Sequence, residues 1–426
     1  MSKPITDVQF RMYNTGSVGD CLLIRFMSNG DVVYKMMIDC GGWNADTPSI
    51  TACAEDIRAT CKGELDLLVV THQHEDHVSG FNQARAVFDK IKVKEVWMSW
   101  IEDDDDPVSE ILREKYGKRL AQLRKTTEMT LKRIQKQRAA AGGKLSAKLK
   151  LKEQNLANVL ELVKLEDGNA HNNSLPVGKR TNNDAMKYVK SKTKNVKYKI
   201  PGEVIKDVPG MDGVKFYILG PPRDEDMRYF KIEMEDDEMY HLALKAAAAQ
   251  ENETEEPATT TATERIFMND ISLKEGESPF SDQYKMTKAE TNSFMKNYNS
   301  AAESWRQIES DWLESDLGIA MRVTNLTNNT SLAMAIEFAG GKVMLLPGDG
   351  QSGNWLGWHK PDVKKKLKKN GGKDTDELLQ NTVFYKVGHH GSHNGTASKS
   401  GLEKMKAEDI VAMMPLVQKK VPKAWG

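Results

Sequence analysis

The chain has 426 residues, and its 61 basic side chains equal its 61 acidic ones, so net charge argues neither for nor against an anionic partner. A chain of this length can bury one large core or two ordinary ones. No signal-peptide pattern follows Met1 and no run of about 18 apolar residues could cross a membrane, so we expect a soluble, cytoplasmic protein with no membrane partner. The four cysteines lack the spacing of a disulfide framework, and we expect them to be reduced.

Short apolar segments rich in Val and Ile predict β-strands near both ends of the chain. Several are nearly continuous apolar runs, which is typical of strands buried on both faces. The segments are residues 21–26, 32–38, 65–70, 93–98, 214–219, 332–338, 342–346, 383–387 and 410–414. Helices predicted over residues 51–60 and 79–90 would cover these strands. The pattern predicts an α/β core built from residues 1–100, 195–222 and 318–426, with two inserts between these parts.

The first insert, residues 101–194, predicts a basic helical hairpin. Apolar residues recur at helical spacing before and after Gly142 and Gly143, which favours two antiparallel helices joined there. Residues 113–150 contain thirteen Lys or Arg against two Glu. Such a charge run can be no more than a solvated helix face, but a basic arm also suits a polyanionic substrate. The candidate substrate-binding side chains of this arm are Lys132, Arg133 and Lys136.

The second insert, residues 223–317, has the opposite charge at its start. Residues 250–264 are low in complexity and predict a flexible surface segment, whereas residues 305–317 predict a helix. We interpret this insert as a lid or as a surface for a protein partner.

Four potential metal ligands stand within six residues, directly after the strand predicted over residues 65–70. An extended strand that ends in a tight loop aims alternate side chains at one point, so His72 and His74 could share a metal ion. Asp76 and His77 could then serve a second ion nearby. Imidazoles and carboxylates suit zinc, manganese or iron, and two such ions about 4 Å apart are a common hydrolytic device.

Three further strand-like segments end in residues that could complete this site. Asp39 precedes two glycines, where its carboxylate could hydrogen-bond a ligand histidine and fix the histidine's tautomer. Asp349 also precedes a glycine and is the best candidate to bridge two ions, with one oxygen toward each. His389, His390 and His393 follow a third strand. The loops after Asp39 and Asp349 could each by itself be a simple turn, and lone histidines are often structural, but adjacent histidines after a buried strand seldom are.

The order Asp39, His72-x-His74-x-Asp76-His77, Asp349 and His389-His390 resembles the metallo-β-lactamase superfamily of hydrolases. More narrowly, the chain resembles the nuclease-type domain of the ComEC competence proteins. The supporting motifs are Val-Gly-Asp-Cys-Leu-Leu-Ile at residues 18–24, Asn-Asn-Thr-Ser-Leu at 328–332 and His-His-Gly-Ser at 389–392. The resemblance covers roughly residues 6–98, 196–222 and 318–414. It implies an αββα sandwich, two divalent metal ions and a freestanding enzymatic domain, because no membrane span is present.

The resemblance also implies supporting roles for Asn329 and Ser331 beside the metal ligands. The wider superfamily has a histidine ligand where this chain has two asparagines, at residues 328 and 329, whereas the ComEC-like subgroup similarly has asparagine there. A site with fewer imidazoles would favour manganese over zinc.

These residues suggest a mechanism in which a water between two ions attacks the substrate. His72, His74 and Asp349 would hold the first ion, while Asp76, Asp349 and one of the two adjacent histidines would hold the second; His77 is a further candidate ligand. The remaining histidine of the pair would contact a phosphoryl oxygen or protonate the leaving group, helped by Ser392 or His393. The sequence leaves open which of His389 and His390 binds metal.

We expect a phosphodiesterase that cleaves DNA or RNA, because both the subgroup resemblance and the basic arm favour a polyanionic substrate. The alternatives are hydrolysis of a small phosphoester or cyclic nucleotide, a lactonase or lactamase activity, and a binding module that keeps its metal for stability. The fold does not choose among these activities.

Overall fold

The computed structural model describes residues 4–140, 149–150, 153–154, 156–160, 163, 180–223, 326–392 and 394–417. Several predictions fall outside these residues: the substrate contact of His393, the flexible segment 250–264, the helix over 305–317, and the lid or partner-binding role of the second insert. The helical junction at Gly142 and Gly143 also lies outside the described residues.

The first sheet has six strands in chain order: β1 (Asp7–Met12), β2 (Cys21–Ser28), β3 (Asp31–Cys40), β4 (Glu64–Val69), β5 (Lys92–Ser99) and β6 (Val196–Lys199). The pairs β1–β2 and β2–β3 are antiparallel, and β3 to β6 are parallel. Parallel neighbours need crossover connections, which here contain helices. The helices are α1 (Thr47–Thr60), α2 (Glu75–Gln83), α3 (Arg85–Phe88), α4 (Pro107–Ala140) and α5 (Asn182–Ser191).

The second sheet also has six strands: β7 (Val204–Ile205), β8 (Lys215–Gly220), β9 (Ala333–Glu337), β10 (Val343–Leu346), β11 (Thr382–Lys386) and β12 (Val411–Met413). Their spatial order is β12-β11-β10-β9-β8-β7, with β10, β11 and β12 parallel and the remaining pairs antiparallel. Three short helices connect β10 to β11: α6 (Ser352–Trp358), α7 (Pro361–Lys369) and α8 (Thr375–Gln380).

The two sheets pack face to face, and helices cover their outer faces. Apolar side chains from both sheets, among them Phe26 and Phe216, form the core between them. The outer face of the first sheet buries Ile57 of α1 and Phe81 of α2, together with residues of α3 and α5. The outer face of the second sheet packs against α6, α7 and α8, including Trp355. The result is a four-layer arrangement of helices, sheet, sheet and helices, and the predicted α/β class is confirmed.

The described residues divide into two compact units, of which the larger carries both sheets. The smaller unit includes α4 from residue 126 onward and described residues up to 159. The predicted first helix of the basic insert corresponds to α4, and the described residues between 149 and 163 are also helical. Within the smaller unit, a guanidinium nitrogen of Arg138 lies 2.6 Å from a carboxylate oxygen of Glu153. The side chains of Lys132, Arg133 and Lys136 are exposed.

Each predicted core strand corresponds to an observed one within about two residues at either end. Strands β1, β6 and β7 were not predicted, nor were the helices α5 to α8. All four cysteines are buried and form no disulfide bond. In the part of the chain that the structure describes, none of the helices combines the length and apolar character needed to cross a membrane.

Candidate metal centre

The candidate metal centre lies where strand ends of both sheets meet. Parallel neighbours place their carboxyl ends at one edge, and this applies to β3 with β4 and to β10 with β11. Residues 72–77 follow β4, while Asp349 follows β10 and His390 follows β11. As a result, Asp76, His77, Asp349 and His390 each bring one potential ligand atom within 4.8 Å of the other three, and all four side chains are buried.

The four ligand atoms face one another across a short gap. Nε2 of His77 lies 3.0 Å from Oδ2 of Asp349, and Nε2 of His390 lies 3.2 Å from the same oxygen. Nε2 of His390 is also 3.0 Å from Oδ2 of Asp76. Two imidazoles and two carboxylates form a donor set that suits zinc or manganese, so this group could hold a metal ion.

An unsatisfied oxygen supports the same interpretation. Oδ1 of Asp76 is buried and has no hydrogen-bond partner among the described residues. Burying a carboxylate oxygen without a partner is costly, and buried charges are normally paired or bound to metals. A divalent cation held by the four residues would neutralise the buried carboxylate of Asp76, so the residues present fit a bound metal.

Mutual charge shifts the pKa values of all four residues. Burial alone would lower the pKa of His77, but the carboxylates of Asp349 and Asp76 raise it well above its ordinary value. Burial opposes the same effect at His390, where Asp349 raises the pKa to about 10. Burial would raise the pKa of Asp76, but the neighbouring imidazoles lower it to about 2. The metal-free cluster therefore holds protons on its histidines, and a bound cation would replace them.

Both imidazoles of the cluster are oriented through their other ring nitrogen. Nδ1 of His77 lies 2.8 Å from Oδ2 of Asp39, and Nδ1 of His390 lies 3.1 Å from the carbonyl oxygen of Pro415. Asp39 is itself held by Thr71, whose backbone N–H and hydroxyl donate to its two oxygens at 2.8 and 2.6 Å. Such contacts fix the tautomer that leaves Nε2 free for a metal.

A close approach between backbones places Asp76 and His77. The helix α2 begins at Glu75, so both residues lie in its first turn and not in a loop. A Cβ on Gly41 would lie 2.5 Å from the carbonyl carbon of Asp76 and from the amide nitrogen of His77. Only glycine therefore allows the end of β3 to pack against the start of α2 at this distance.

His72 and His74 form a separate pair beside the cluster. Nε2 of His72 lies 3.0 Å from Nδ1 of His74, and the rings of His72 and His77 are 4.2 Å apart between centroids. Burial and the positive charge of His77 lower the pKa of His72 well below its ordinary value, which keeps its lone pair available. Among the described residues, neither histidine joins a group of three or more ligand atoms.

The adjacent histidines after β11 take different positions. Both have a left-handed backbone, with φ of 46° at His389 and 50° at His390, so they do not continue the strand. His390 enters the cluster, whereas the ring of His389 is surrounded by carboxamides: Asn328, Gln351 and Asn394 lie 3.1 to 3.2 Å from its nitrogens. Burial lowers the pKa of His389 to about 4, so its imidazole is neutral.

The remaining predicted residues support the surrounding loops. The hydroxyl of Ser331 accepts the backbone N–H of Asp349 at 3.2 Å. The side chain of Asn329 accepts backbone N–H groups of Gln351 and Asn354 in the segment after Asp349. The backbone N–H of Ser392 donates to the carbonyl of His389 at 2.8 Å and closes the turn.

The sequence analysis missed two charged residues that lie beside the cluster. Lys386 is buried, and its ammonium nitrogen lies 2.5 Å from Oδ2 of Asp20 and 3.2 Å from Oδ1 of Asp349. Opposing carboxylates outweigh the effect of burial and raise the pKa of Lys386. Each could have been found in the sequence as a single charged residue next to apolar ones. Residue 386 lies within the mostly apolar stretch 382–387, and residue 20 lies just before β2.

Asp349 divides its two oxygens between different partners. Oδ1 faces Lys386, and Oδ2 faces His77 and His390. The sequence predicts that Asp349 directs one oxygen toward each of two ions. In the structure, Oδ2 alone faces the imidazoles.

Comparisons with protein-family models, with curated proteins and with solved structures find no match to this chain. The interpretation of the site therefore depends on its geometry and on the chemistry of its residues.

Proposed function

We propose that this protein is a metal-dependent hydrolase with a metallo-β-lactamase fold of the ComEC-like subgroup, and that it cleaves phosphodiester bonds in DNA or RNA. The observation that carries the proposal is the convergence of two imidazoles and two carboxylates, from three separate segments, on one buried point. The four-layer arrangement supports the fold assignment, because the cluster lies at the strand ends where such α/β architectures place their sites.

In the proposed reaction, bound divalent ions would supply Lewis-acid activation of water near neutral pH. The protein's contribution is to hold the ligands in place and to exclude bulk water. Asp39 and the carbonyl of Pro415 orient His77 and His390 through Nδ1. His72, whose pKa is lowered by burial, and His74 beside it are available to help hold a second ion beside the first.

His389 is the proposed contact for the substrate's phosphoryl group. Its ring is held in place by carboxamides rather than by charges, and its neutral state means that it adds no repulsion toward a bound cation. A neutral imidazole fixed beside a metal centre can accept or donate a hydrogen bond as an oxyanion develops.

A nucleic-acid substrate is supported by the basic part of α4. The side chains of Lys132, Arg133 and Lys136 are exposed, and the stretch 129–140 contains no Asp or Glu, although Glu128 lies one helical turn before Lys132. Cations of this kind bind phosphates without regard to base sequence.

The experiment that tests this proposal is a substrate panel on the metal-loaded protein. Single-stranded DNA, double-stranded DNA, RNA, bis-p-nitrophenyl phosphate and a β-lactam are each offered with Mn²⁺, with Zn²⁺ and with a chelator. The proposal expects metal-dependent cleavage of DNA or RNA that His390→Ala abolishes. The matched control is His359→Ala, because His359 is a half-buried histidine that bonds the carbonyl of Ser400 at 2.7 Å, outside the candidate centre.

The outcomes separate the competing activities. Cleavage of bis-p-nitrophenyl phosphate without nucleic acid would favour a small phosphoester, and cleavage of the lactam would favour a lactamase. A metal-loaded protein that is inert toward every ester would contradict the enzymatic proposal altogether.

A further inference from the structure

Lys386, the last residue of β11, is an ammonium group that is only 1% exposed. Its nitrogen has three acceptors in reach: Oδ2 of Asp20 at 2.5 Å, Oδ1 of Asp349 at 3.2 Å and the carbonyl oxygen of Gly348 at 3.3 Å. A lysine ammonium has three N–H donors and no acceptor. Lys386 donates hydrogen bonds to Asp349 and to Gly348, and it forms an ion pair with Asp20.

The partner carboxylate of Asp20 belongs to the other sheet. Asp20 directly precedes β2, and its backbone N–H donates to the carbonyl of Asp76 at 2.9 Å, while its own carbonyl accepts from Gly41 at 3.0 Å. Lys386 ends β11 and Asp349 follows β10, and both strands belong to the second sheet. The ion pair thus joins the two halves of the candidate centre across the interface between the sheets.

The surroundings of this ion pair are buried and partly apolar, and Asp20 also lies 3.9 Å from Nδ1 of His77 and 3.6 Å from Nδ1 of His390. A small cavity beside it is lined by Leu22, Ile38, Met334 and Leu346, together with Asp20, Thr71, Gly348 and Lys386. An ion pair in such surroundings is strong in electrostatic terms, and removing one partner leaves the other charge buried and uncompensated. The pair therefore keeps a fixed geometry.

We propose that Lys386 is a positioning residue for the candidate metal centre. By holding Oδ1 of Asp349, it fixes the plane of that carboxylate so that Oδ2 alone is presented to a cation between His77 and His390. The distances from Oδ2 to the two imidazole nitrogens, 3.0 and 3.2 Å, match an oxygen aimed between them. This inference rests on the proposed function, since it requires that a divalent ion bind at this centre.

Positioning and simple electrostatics predict opposite effects when Lys386 is removed. A nearby positive charge repels a divalent cation, so its loss alone would tighten metal binding. Loss of positioning would instead weaken binding, because Asp349 could rotate away from the ion. The direction of the change in metal affinity therefore decides between the two.

The test is metal titration of the full chain carrying Lys386→Met, which keeps the length of the side chain and removes its charge. The chelator-treated protein is titrated with Zn²⁺ and with Mn²⁺ against a chromophoric chelator, which needs no enzymatic activity. We expect the Kd for metal to rise about 10- to 100-fold, the usual effect of losing a residue that orients a ligand. An unchanged or lower Kd in a folded variant would overturn the proposal.

The matched control is Lys199→Met. Lys199 is also a buried lysine; it lies in β6, pairs with Glu203 at 3.4 Å and stacks over the ring of Trp97. The same substitution there should leave metal affinity unchanged, since Lys199 contacts none of the candidate ligands. An equal loss in both variants would show a general effect of removing a buried lysine and would also overturn the proposal.

A second variant covers the case in which Lys386→Met does not fold. The double variant Asp20→Asn with Lys386→Met removes both buried charges, and circular dichroism checks that it is folded. It should bind metal as weakly as expected for Lys386→Met, because Asp349 is released in both. Wild-type affinity in the double variant would overturn the proposal, whereas a wild-type protein that binds no metal would contradict the proposed function itself.

Discussion

Replacing Asp39 with asparagine should weaken metal binding without changing the backbone. Asp39 has φ of 54°, in the left-handed region, and asparagine is among the residues that best tolerate it. The asparagine oxygen can still accept the backbone N–H of Thr71, now 2.8 Å from Oδ1. The amide nitrogen would then face Nδ1 of His77, where a carboxylate oxygen now lies at 2.8 Å.

The expected magnitude follows from this lost contact. Two N–H groups cannot hydrogen-bond each other, so His77 would carry its proton on Nε2, the nitrogen that faces the centre. A hydrogen bond to a charged group contributes about 1.5 to 3 kcal/mol, and each 1.4 kcal/mol changes an equilibrium constant about tenfold. We therefore expect the Kd for Zn²⁺ or Mn²⁺ to rise about 10- to 100-fold.

The assay is chelator competition on metal-free protein, with Asp66→Asn as the control. Asp66 in β4 also accepts a backbone N–H, that of Lys35 at 2.8 Å, but it contacts no candidate ligand. Its substitution should leave metal affinity unchanged. If Asp39→Asn binds metal as tightly as the wild type, the orientation of His77 by Asp39 does not contribute to the site.

Four further predictions follow from the same geometry. Asp349→Ala should abolish turnover at every metal concentration, and wild-type rates in a steady-state assay would contradict its place in the centre. Gly41→Ala should weaken metal binding and lower the melting temperature, whereas Gly117→Ala in α4, where a Cβ meets no atom within 4 Å, should not lower either. The pKa of His390 is raised to about 10, so protonation of this residue stabilises the metal-free fold. This stabilisation is complete below a pH of about 6.5 and disappears as the pH rises through about 10. Denaturant unfolding of metal-free protein should therefore show falling stability over that range, and calorimetry in two buffers should detect proton release on metal binding near neutral pH; no release would contradict the charge state of the cluster. Neutralising Lys132, Arg133 and Lys136 of the basic arm should weaken binding to long nucleic acid and flatten the dependence of that binding on salt, as measured by fluorescence anisotropy. Unchanged affinity would show that these three residues do not bind nucleic acid.

Local sequence patterns were enough to predict the inner strands and four residues that meet in the candidate centre, Asp76, His77, Asp349 and His390, whereas His72 and His74, predicted for the first ion, lie outside that group. Most strands that the sequence predicted are buried by both layers, so their apolar runs are nearly continuous; β12 is the exception, being short and largely exposed at a sheet edge. Strands β1 and β6 lie at the edges of the first sheet and alternate exposed with partly buried residues, and β7 has only two residues. Such edge strands carry little of this signal.

The position of the histidines within the centre could not be predicted from strand periodicity. The helix α2 begins at Glu75, so Asp76 and His77 project from a helical turn rather than from an extended strand. The left-handed backbone at His389 and His390 likewise depends on the turn that follows β11. These local conformations decide which histidine enters the cluster.

Local sequence patterns could not predict the ion pair between Lys386 and Asp20. The two residues are separated by most of the chain, and they meet only because the two sheets pack face to face. In the sequence, each is a single charge beside an apolar strand, which normally indicates an exposed or edge position. Tertiary packing turns these two charges into a buried support for the centre.

The most direct test of the account is a crystal structure of the metal-loaded protein, with anomalous diffraction measured at the zinc and manganese absorption edges. We expect an anomalous peak about 2.0 to 2.2 Å from Nε2 of His77, Nε2 of His390 and Oδ2 of Asp349. A protein that takes up no ion, or an ion bound away from these three atoms, would contradict the central claim.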